Sequence, residues 1–503
     1  MKYKINATIL LMIFTILTNI LSFGKNIIIA NIFGTSSELD VYILALFIPT
    51  LLSGLLMGSL QSTLVPLTLE HIKEYGEENA YKWYKTIGLL TIILLGIISI
   101  CLVVSNEWIY KYLHIGFSKG SSLLFYDLND ILMIMIVLNG LIILLKNLYY
   151  IKQEYILPSL SSFTGAALSI LYLIWGSQPD SYTLCYSLII GAIVDIIILF
   201  LFLKKYDIDI PKGFRLKNLG LKKFVGLMAP LLISASLGHA NPLIDQIMAS
   251  NMYEGAVSSL NYADKLNSML VQIFVMTIST TALSSFSILV TENKLVEVRE
   301  YFHKILKIYS MLLFPIIGFI LLFGKHIVYI LFERGQFTET STILTADAWK
   351  FYSLGLMFML VGTITARIYN ALKNARIQMF ISLLGLAINI FGNYIALKYI
   401  GHAGIALSTT ITSLITTFLL VYFLQKYFIQ IFDKKVFLDI IKILIINLII
   451  FLGIDLLGIV EFFNKMQKMY LFFMIMLAFL ICGLTVMFLY RLFGIQKRKI
   501  GGF

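Results

Sequence analysis

The sequence predicts an all-α, polytopic membrane protein of about fourteen transmembrane helices. Three observations predict it: the composition, the recurrence of long apolar runs, and an alternation of basic and non-basic gaps between them. Of the 503 residues, 59% are hydrophobic and 13% are charged, against roughly half and a quarter in soluble domains. No soluble core hides that much apolar surface. Apolar runs of about 18 residues or more recur along the whole chain, and each can cross roughly 30 Å of hydrocarbon as a helix.

In the first half the runs lie near 7–33, 40–69, 84–105, 126–149, 157–176 and 183–203. A hydrophilic stretch from Lys204 to Lys223 follows. Further runs lie near 224–250, 257–287, 304–323, 345–371, 377–397, 403–424, 438–458 and 469–491. The start, with Lys2 and Lys4 ahead of an apolar stretch from Ala7 to Leu17, has no small-residue cleavage site and runs straight on in hydrophobic sequence, so it reads as the first membrane helix. Cys101, Cys185 and Cys482 are far apart inside apolar runs, which gives neither metal-ligand spacing nor a disulfide framework and reads as small buried hydrophobes.

The net charge of +12 does not mark a nucleic-acid binder, because the Lys and Arg residues are scattered through short gaps. Their placement fixes orientation instead. The gap from Lys204 to Lys223 holds Lys204, Lys205, Lys212, Arg215, Lys217, Lys222 and Lys223 against Asp207 and Asp209, which predicts a cytoplasmic loop. Later basic gaps carry Lys373 and Arg376, then Lys426, Lys434 and Lys435, and the C-terminus ends on Lys497, Arg498 and Lys499. Both termini are expected inside, which requires an even helix count. The alternate gaps, such as Thr35 to Leu39 and Gly176 to Ser181, are short and neutral or acidic, as outer loops should be.

The chain also repeats itself at a spacing of roughly 219 residues. The run Asn26 to Asn31 lines up with Asp245 to Ser250, and Tyr149 and Gly165 fall opposite Tyr369 and Gly385. The expected organisation is a six-helix lobe over 1–215, a second in parallel orientation over 216–425, and two further helices in 426–503.

A charge at mid-membrane costs at least about 2.5 to 3.5 kcal/mol, so an ionisable residue there is a functional candidate by default. Lys25 lies about two thirds along the first span, on a face shared with Ser22 and Asn26, with no acidic residue within two turns. Asp40, Asp245, Asp264 and Lys265 project to the outer halves of their spans, where they could line an outward-facing chamber. Lys146 and Arg367 sit close enough to inner ends to snorkel. Pro49, Pro230 and Pro242 fall inside spans as kinks or hinges. His239 reads as a packed or cavity-lining histidine.

The segment Phe332-Glu333-Arg334-Gly335-Gln336-Phe337-Thr338 resembles a motif of the lipid II flippases (MurJ-type) of the multidrug, oligosaccharidyl-lipid and polysaccharide exporter superfamily. Ala30 to Gly34 with Asp40 and Pro49, Tyr262-Ala263-Asp264-Lys265, and Tyr369-Asn370-Ala371-Leu372 support it. The resemblance implies a transporter rather than an enzyme. Two lobes would face a central cavity, moving an undecaprenyl-diphosphate-linked precursor from the inner to the outer leaflet of the bacterial cytoplasmic membrane by alternating access. The last two helices would form a groove for the lipid tail. It implies substrate contacts at Asn19, Lys25 and Ser53, where the family carries arginines, and at Lys265, where it also carries arginine. Ser22, Asn26, Asp40 and Asp264 complete the expected substrate set. The replacement of Arg by Asn, Lys or Ser weakens bidentate grip on a diphosphate and leaves the headgroup open.

The resemblance also suggests a monovalent-cation site from Asp245, Asn389, Asn393 and Thr409, but it offers only one carboxylate where hard cations want several oxygens, and hydrogen bonding between helices explains the two asparagines better. No cofactor or structural metal is expected; sodium, a proton or the membrane potential stays open as the driving force. The expected partners are the polyprenyl-linked glycan, membrane lipids and cell-wall synthesis proteins, with the chain a monomer. The rival readings are a flippase for exopolysaccharide or teichoic-type repeat units and an ion-coupled drug exporter. Lys25 counts against the exporter, and loops of about twenty residues without a carboxylate or His cluster count against a membrane-embedded transferase.

Overall fold

The structure, a computed structural model, describes the backbone of residues 2–112, 116, 119–176, 179–208, 212–213, 220–463 and 466–492. Within these it describes all side chains except those of 2–9, 11–12, 112, 119, 233–234, 237–239, 280, 375, 435 and 492. Arg215, Lys217, Lys497, Arg498 and Lys499 lie outside the described residues, as do the side chains of Lys2, Lys4, His239 and Lys435. Every regular element among the described residues is a helix.

The chain divides into two compact units, residues 1–257 and 258–503. The first contains α1 (Lys2–Phe33), α2 (Ser37–Tyr75), α3 (Glu77–Val104), α4 (Asn106–Tyr112), α5 (Lys119–Leu132), α6 (Ile134–Ile151), α7 (Ile156–Trp175), α8 (Ser181–Leu201) and α9 (Leu221–Ser250). From the boundary onward come α10 (Ala256–Leu270), a π-helical segment (Val271–Met276) and α11 (Thr277–Thr291). They are followed by α12 (Leu295–Phe332), α13 (Glu339–Leu354), α14 (Leu356–Ala371), α15 (Ala375–Ile400) and α16 (Ala403–Tyr427). The last are α17 (Lys434–Leu456), α18 (Ile459–Phe463) and α19 (Lys468–Leu492).

Among the described residues twelve helices are long and apolar enough to cross a membrane, and α13 with α14, bent by 41°, makes a thirteenth. The remaining expected span is α9. It runs for 30 residues, about 45 Å, long enough to cross a membrane. The helix starts follow local chemistry: Ser36, Asp180, Thr338 and Asp433 each accept a backbone N–H of the first turn through a side-chain oxygen.

The internal repeat is visible as matched hydrogen bonds. The Tyr149 hydroxyl donates to the Leu199 carbonyl at 2.5 Å, and the Tyr369 hydroxyl to the Leu420 carbonyl at 3.0 Å. Each tyrosine precedes the same turn, with Gln153 at φ 60° and Lys373 at φ 57°. In both turns the next N–H returns to the tyrosine carbonyl, from Glu154 at 2.9 Å and from Asn374 at 3.0 Å. Buried tyrosine hydroxyls need such partners.

Within the first unit, α9 packs along α2 and is tied to it near both ends. The Lys223 ammonium meets Glu70 at 2.6 Å. At the opposite end Gly255 donates its N–H to Asp40 at 2.7 Å, and Ser37 donates its N–H to Glu254 at 2.7 Å. Gly255 sits at φ +89°, and a Cβ there would lie 2.8 Å from the Thr35 carbonyl oxygen, so the turn requires glycine. Where α6 ends, Lys152 pairs with Glu77, which holds its ammonium above the usual lysine range.

Candidate functional site

The polar chemistry of the first unit is organised on the α7–α8 pair. Its centre is a glycine contact. A Cβ on Gly165 would lie 2.6 Å from the Gly191 carbonyl oxygen, and one on Gly191 would lie 2.9 Å from that of Gly165. The backbones therefore approach as closely as small residues allow in membrane helix pairs. Polar side chains flank the contact on both sides along the helices, and each group receives a lysine from another helix.

On one side Lys25 of α1 donates to the hydroxyls of Ser169 on α7, at 2.6 Å, and Ser187 on α8, at 3.1 Å. Among the described residues no carboxylate lies within ion-pair distance of Lys25. On the other side Lys146 of α6 donates to the Ser162 hydroxyl at 2.6 Å and the Asp195 carboxylate at 2.9 Å. The Lys146 and Asp195 side chains are only 14% and 10% exposed, so this is an interior ion pair. The two lysines differ in kind: Lys146 is neutralised in place, whereas Lys25 is solvated only by neutral hydroxyls.

This corrects the expectation that Lys146 snorkels, because its partner is supplied by α8. Arg367 likewise turns to a neighbour and donates to Ser279 of α11 at 2.6 Å. Cys101 is exposed rather than buried; Cys185 and Cys482 are buried as expected.

A cavity of about 490 Å³ opens beside Lys146, bounded by α1, α2, α6 and α7. Thr18 and Asn19 of α1, Gln61 of α2 and Asn147 of α6 line it. Asn19 thus faces a cavity. Ser22 and Asn26 share α1 with Lys25. Ser53 donates to the Pro49 carbonyl at 2.7 Å and accepts from the Asn139 amide at 2.9 Å, which ties α2 to α6. Asp40 is 2% exposed and occupied by the Gly255 backbone; that is the work of a structural residue. Asp245 of α9 is buried in the first unit.

In the second unit Asp264 and Lys265 are exposed on α10, and Asp264 accepts a 3.3 Å hydrogen bond from Ser268. Two quoted motifs meet there. Tyr262 packs tilted against Phe332 and edge-on against Phe337, at 5.2 and 5.4 Å between ring centroids. Arg334 donates to the Ile330 and Leu331 carbonyls at 3.0 and 2.8 Å, capping α12, while Glu333 accepts from the Thr342 hydroxyl at 2.5 Å. Asn389, Asn393 and Thr409 are brought together: Asn389 donates to the Thr409 hydroxyl and Asn393 donates to the Asn389 side chain, both at 3.3 Å. Among the described residues no group of three or more His, Cys, Asp or Glu side chains is placed to hold a metal.

Sequence reasoning missed Asp195, Ser169, Ser187, Asn139 and Asn147. Asp195 carried a readable signal, being the one acidic residue in the apolar run 183–203. The serines carried none, because Ser in a membrane helix usually bonds its own backbone.

The family model described as lipid II flippase MurJ matches residues 29–479. A probable lipid II flippase MurJ of Buchnera aphidicola subsp. Schizaphis graminum is 27% identical over 410 residues, covering 80% of each chain. The lipid II flippase MurJ of Burkholderia cenocepacia is 24% identical over 417 residues, also covering 80% of each. Among solved structures, a lipid II flippase MurJ in an inward closed conformation superposes with a TM-score of 0.80 at 22% identity, covering 96% of this chain and 99% of the other. An inward-facing multidrug resistance MATE family transporter of the MOP superfamily gives 0.64 at 15% identity, covering 80% and 92%. A motif set in family order, thirteen spans and an extended α9, and a family match over most of the length lead to one assignment: this chain is a multi-pass membrane protein of the lipid II flippase MurJ family.

Proposed function

We propose that the chain carries a polyprenyl-diphosphate-linked cell-wall precursor from the inner to the outer leaflet by alternating access, with Lys25 as a contact for the diphosphate. The observation that carries this reading is the state of Lys25. Its ammonium is withdrawn among α1, α7 and α8, with only hydroxyls for partners. A cation so placed lacks a counter-charge, and an anionic headgroup supplies one. In this reading the lobes are 1–215 and 216–425, the helices of 426–503 take the lipid tail, and both termini are cytoplasmic.

The experiment is complementation of a bacterial strain depleted of its own lipid II flippase. Expression of this chain should restore growth and cell shape, and Lys25→Gln at equal membrane abundance should not. Failure of the wild-type chain, present in the membrane at normal level, would remove lipid II as the substrate and favour another lipid-linked repeat unit.

A further inference from the structure

We propose that the cavity bounded by α1, α2, α6 and α7 receives the uncharged, hydroxyl- and amide-bearing sugar part of the substrate, two helical turns from the diphosphate contact at Lys25. The volume, about 490 Å³, falls within the roughly 300–1,000 Å³ of small-molecule sites. Its charge state selects the ligand. The cation at the wall, Lys146, is already neutralised by Asp195 at 2.9 Å. An entering anion would have to displace that carboxylate and leave it uncompensated in the interior, which disfavours a second anionic group. A neutral polar ligand incurs no such loss.

The remaining polar wall suits hydrogen bonding to sugar hydroxyls and acetamido groups. Asn19 and Gln61 are exposed into the cavity. Asn147, at the back of the wall, is 1% exposed and is turned toward the Tyr84 hydroxyl.

The spacing joins this cavity to Lys25. Thr18, at the cavity, and Lys25 are seven residues apart on α1, so they share a face about 10.5 Å apart. Ser162, at the cavity, and Ser169, under Lys25, repeat that interval on α7. A diphosphate held at Lys25 therefore leaves its attached sugar within reach of the cavity.

The inference rests on the reading of Lys25 above, and two probes separate them. The full-length protein in nanodiscs is titrated with a short-chain prenyl diphosphate that has no sugar, and with the same lipid carrying an N-acetylated disaccharide. Asn19→Leu and Gln61→Leu, both at exposed positions, should weaken the disaccharide probe by about three- to tenfold and leave the sugar-free probe unchanged. Lys25→Gln should weaken both probes. Disaccharide affinity unchanged in the exposed variants, or both probes weakened alike, would overturn the sugar site. If Lys25→Gln binds both probes normally while the cavity variants stay selective, the sugar site stands and the diphosphate assignment to Lys25 falls.

Discussion

At the scale of single residues, two lysines that look alike in sequence are assigned opposite work by their partners. Both stand inside apolar runs, and neither has a carboxylate neighbour on its own helix. Asp195 is 49 positions from Lys146 and comes from another helix, so helical spacing could not pair them. The rule that membrane carboxylates need a cation would have flagged Asp195, but not chosen between Lys25 and Lys146. Removing one member of an interior pair leaves the other uncompensated, at about 3 to 5 kcal/mol. Lys146→Ala should therefore lower the thermal unfolding midpoint of the purified protein markedly, whereas Lys146→Met combined with Asp195→Leu should recover most of the loss. A single variant as stable as wild type would show the pair to be dispensable. Lys25→Gln removes no ion pair, so its unfolding midpoint should stay near wild type.

At the scale of elements, the α7–α8 contact and its counterpart α15–α16 differ in how much they tolerate. A Cβ on Gly165 would meet backbone, whereas one on Gly385 would meet the methyl group of Thr416 at 2.8 Å. A side chain can rotate away; a helix backbone cannot. Gly165→Ala should cost about 1 to 3 kcal/mol and Gly385→Ala clearly less, read as loss of folded protein on heating in detergent. Equal tolerance at both positions would contradict the close packing described for α7 and α8. The repeat that pairs these glycines was legible in sequence because Tyr149 and Tyr369 are conspicuous. The reason for the tyrosines was not, since each bonds a carbonyl about 50 residues away. The Phe332–Thr338 motif was likewise legible as a motif, but its local work of capping α12 and seating Tyr262 required coordinates.

At the scale of the whole molecule, thirteen spans were legible from length and apolarity alone, and the remaining expected span falls on the 30-residue α9. Orientation rests on the Lys and Arg residues of the gaps. In a variant lacking the native cysteines, Lys212→Cys should be protected from an impermeant thiol reagent added outside intact cells, and Gln336→Cys should react; both positions are exposed. Labelling of both from the same side would contradict the fourteen-helix topology. The central claim, that a cation withdrawn among three helices holds the diphosphate of a carried lipid, is tested most directly by translocation in proteoliposomes. With a polyprenyl-diphosphate-linked glycan in the bilayer and a headgroup-directed enzyme outside, the wild-type chain should expose the inner-leaflet pool. Losing one charge-assisted contact, about 1.5 to 3 kcal/mol, should slow Lys25→Gln by about tenfold to a hundredfold, while Lys25→Arg keeps much of the rate. Translocation by Lys25→Gln at the wild-type rate and affinity would contradict the account.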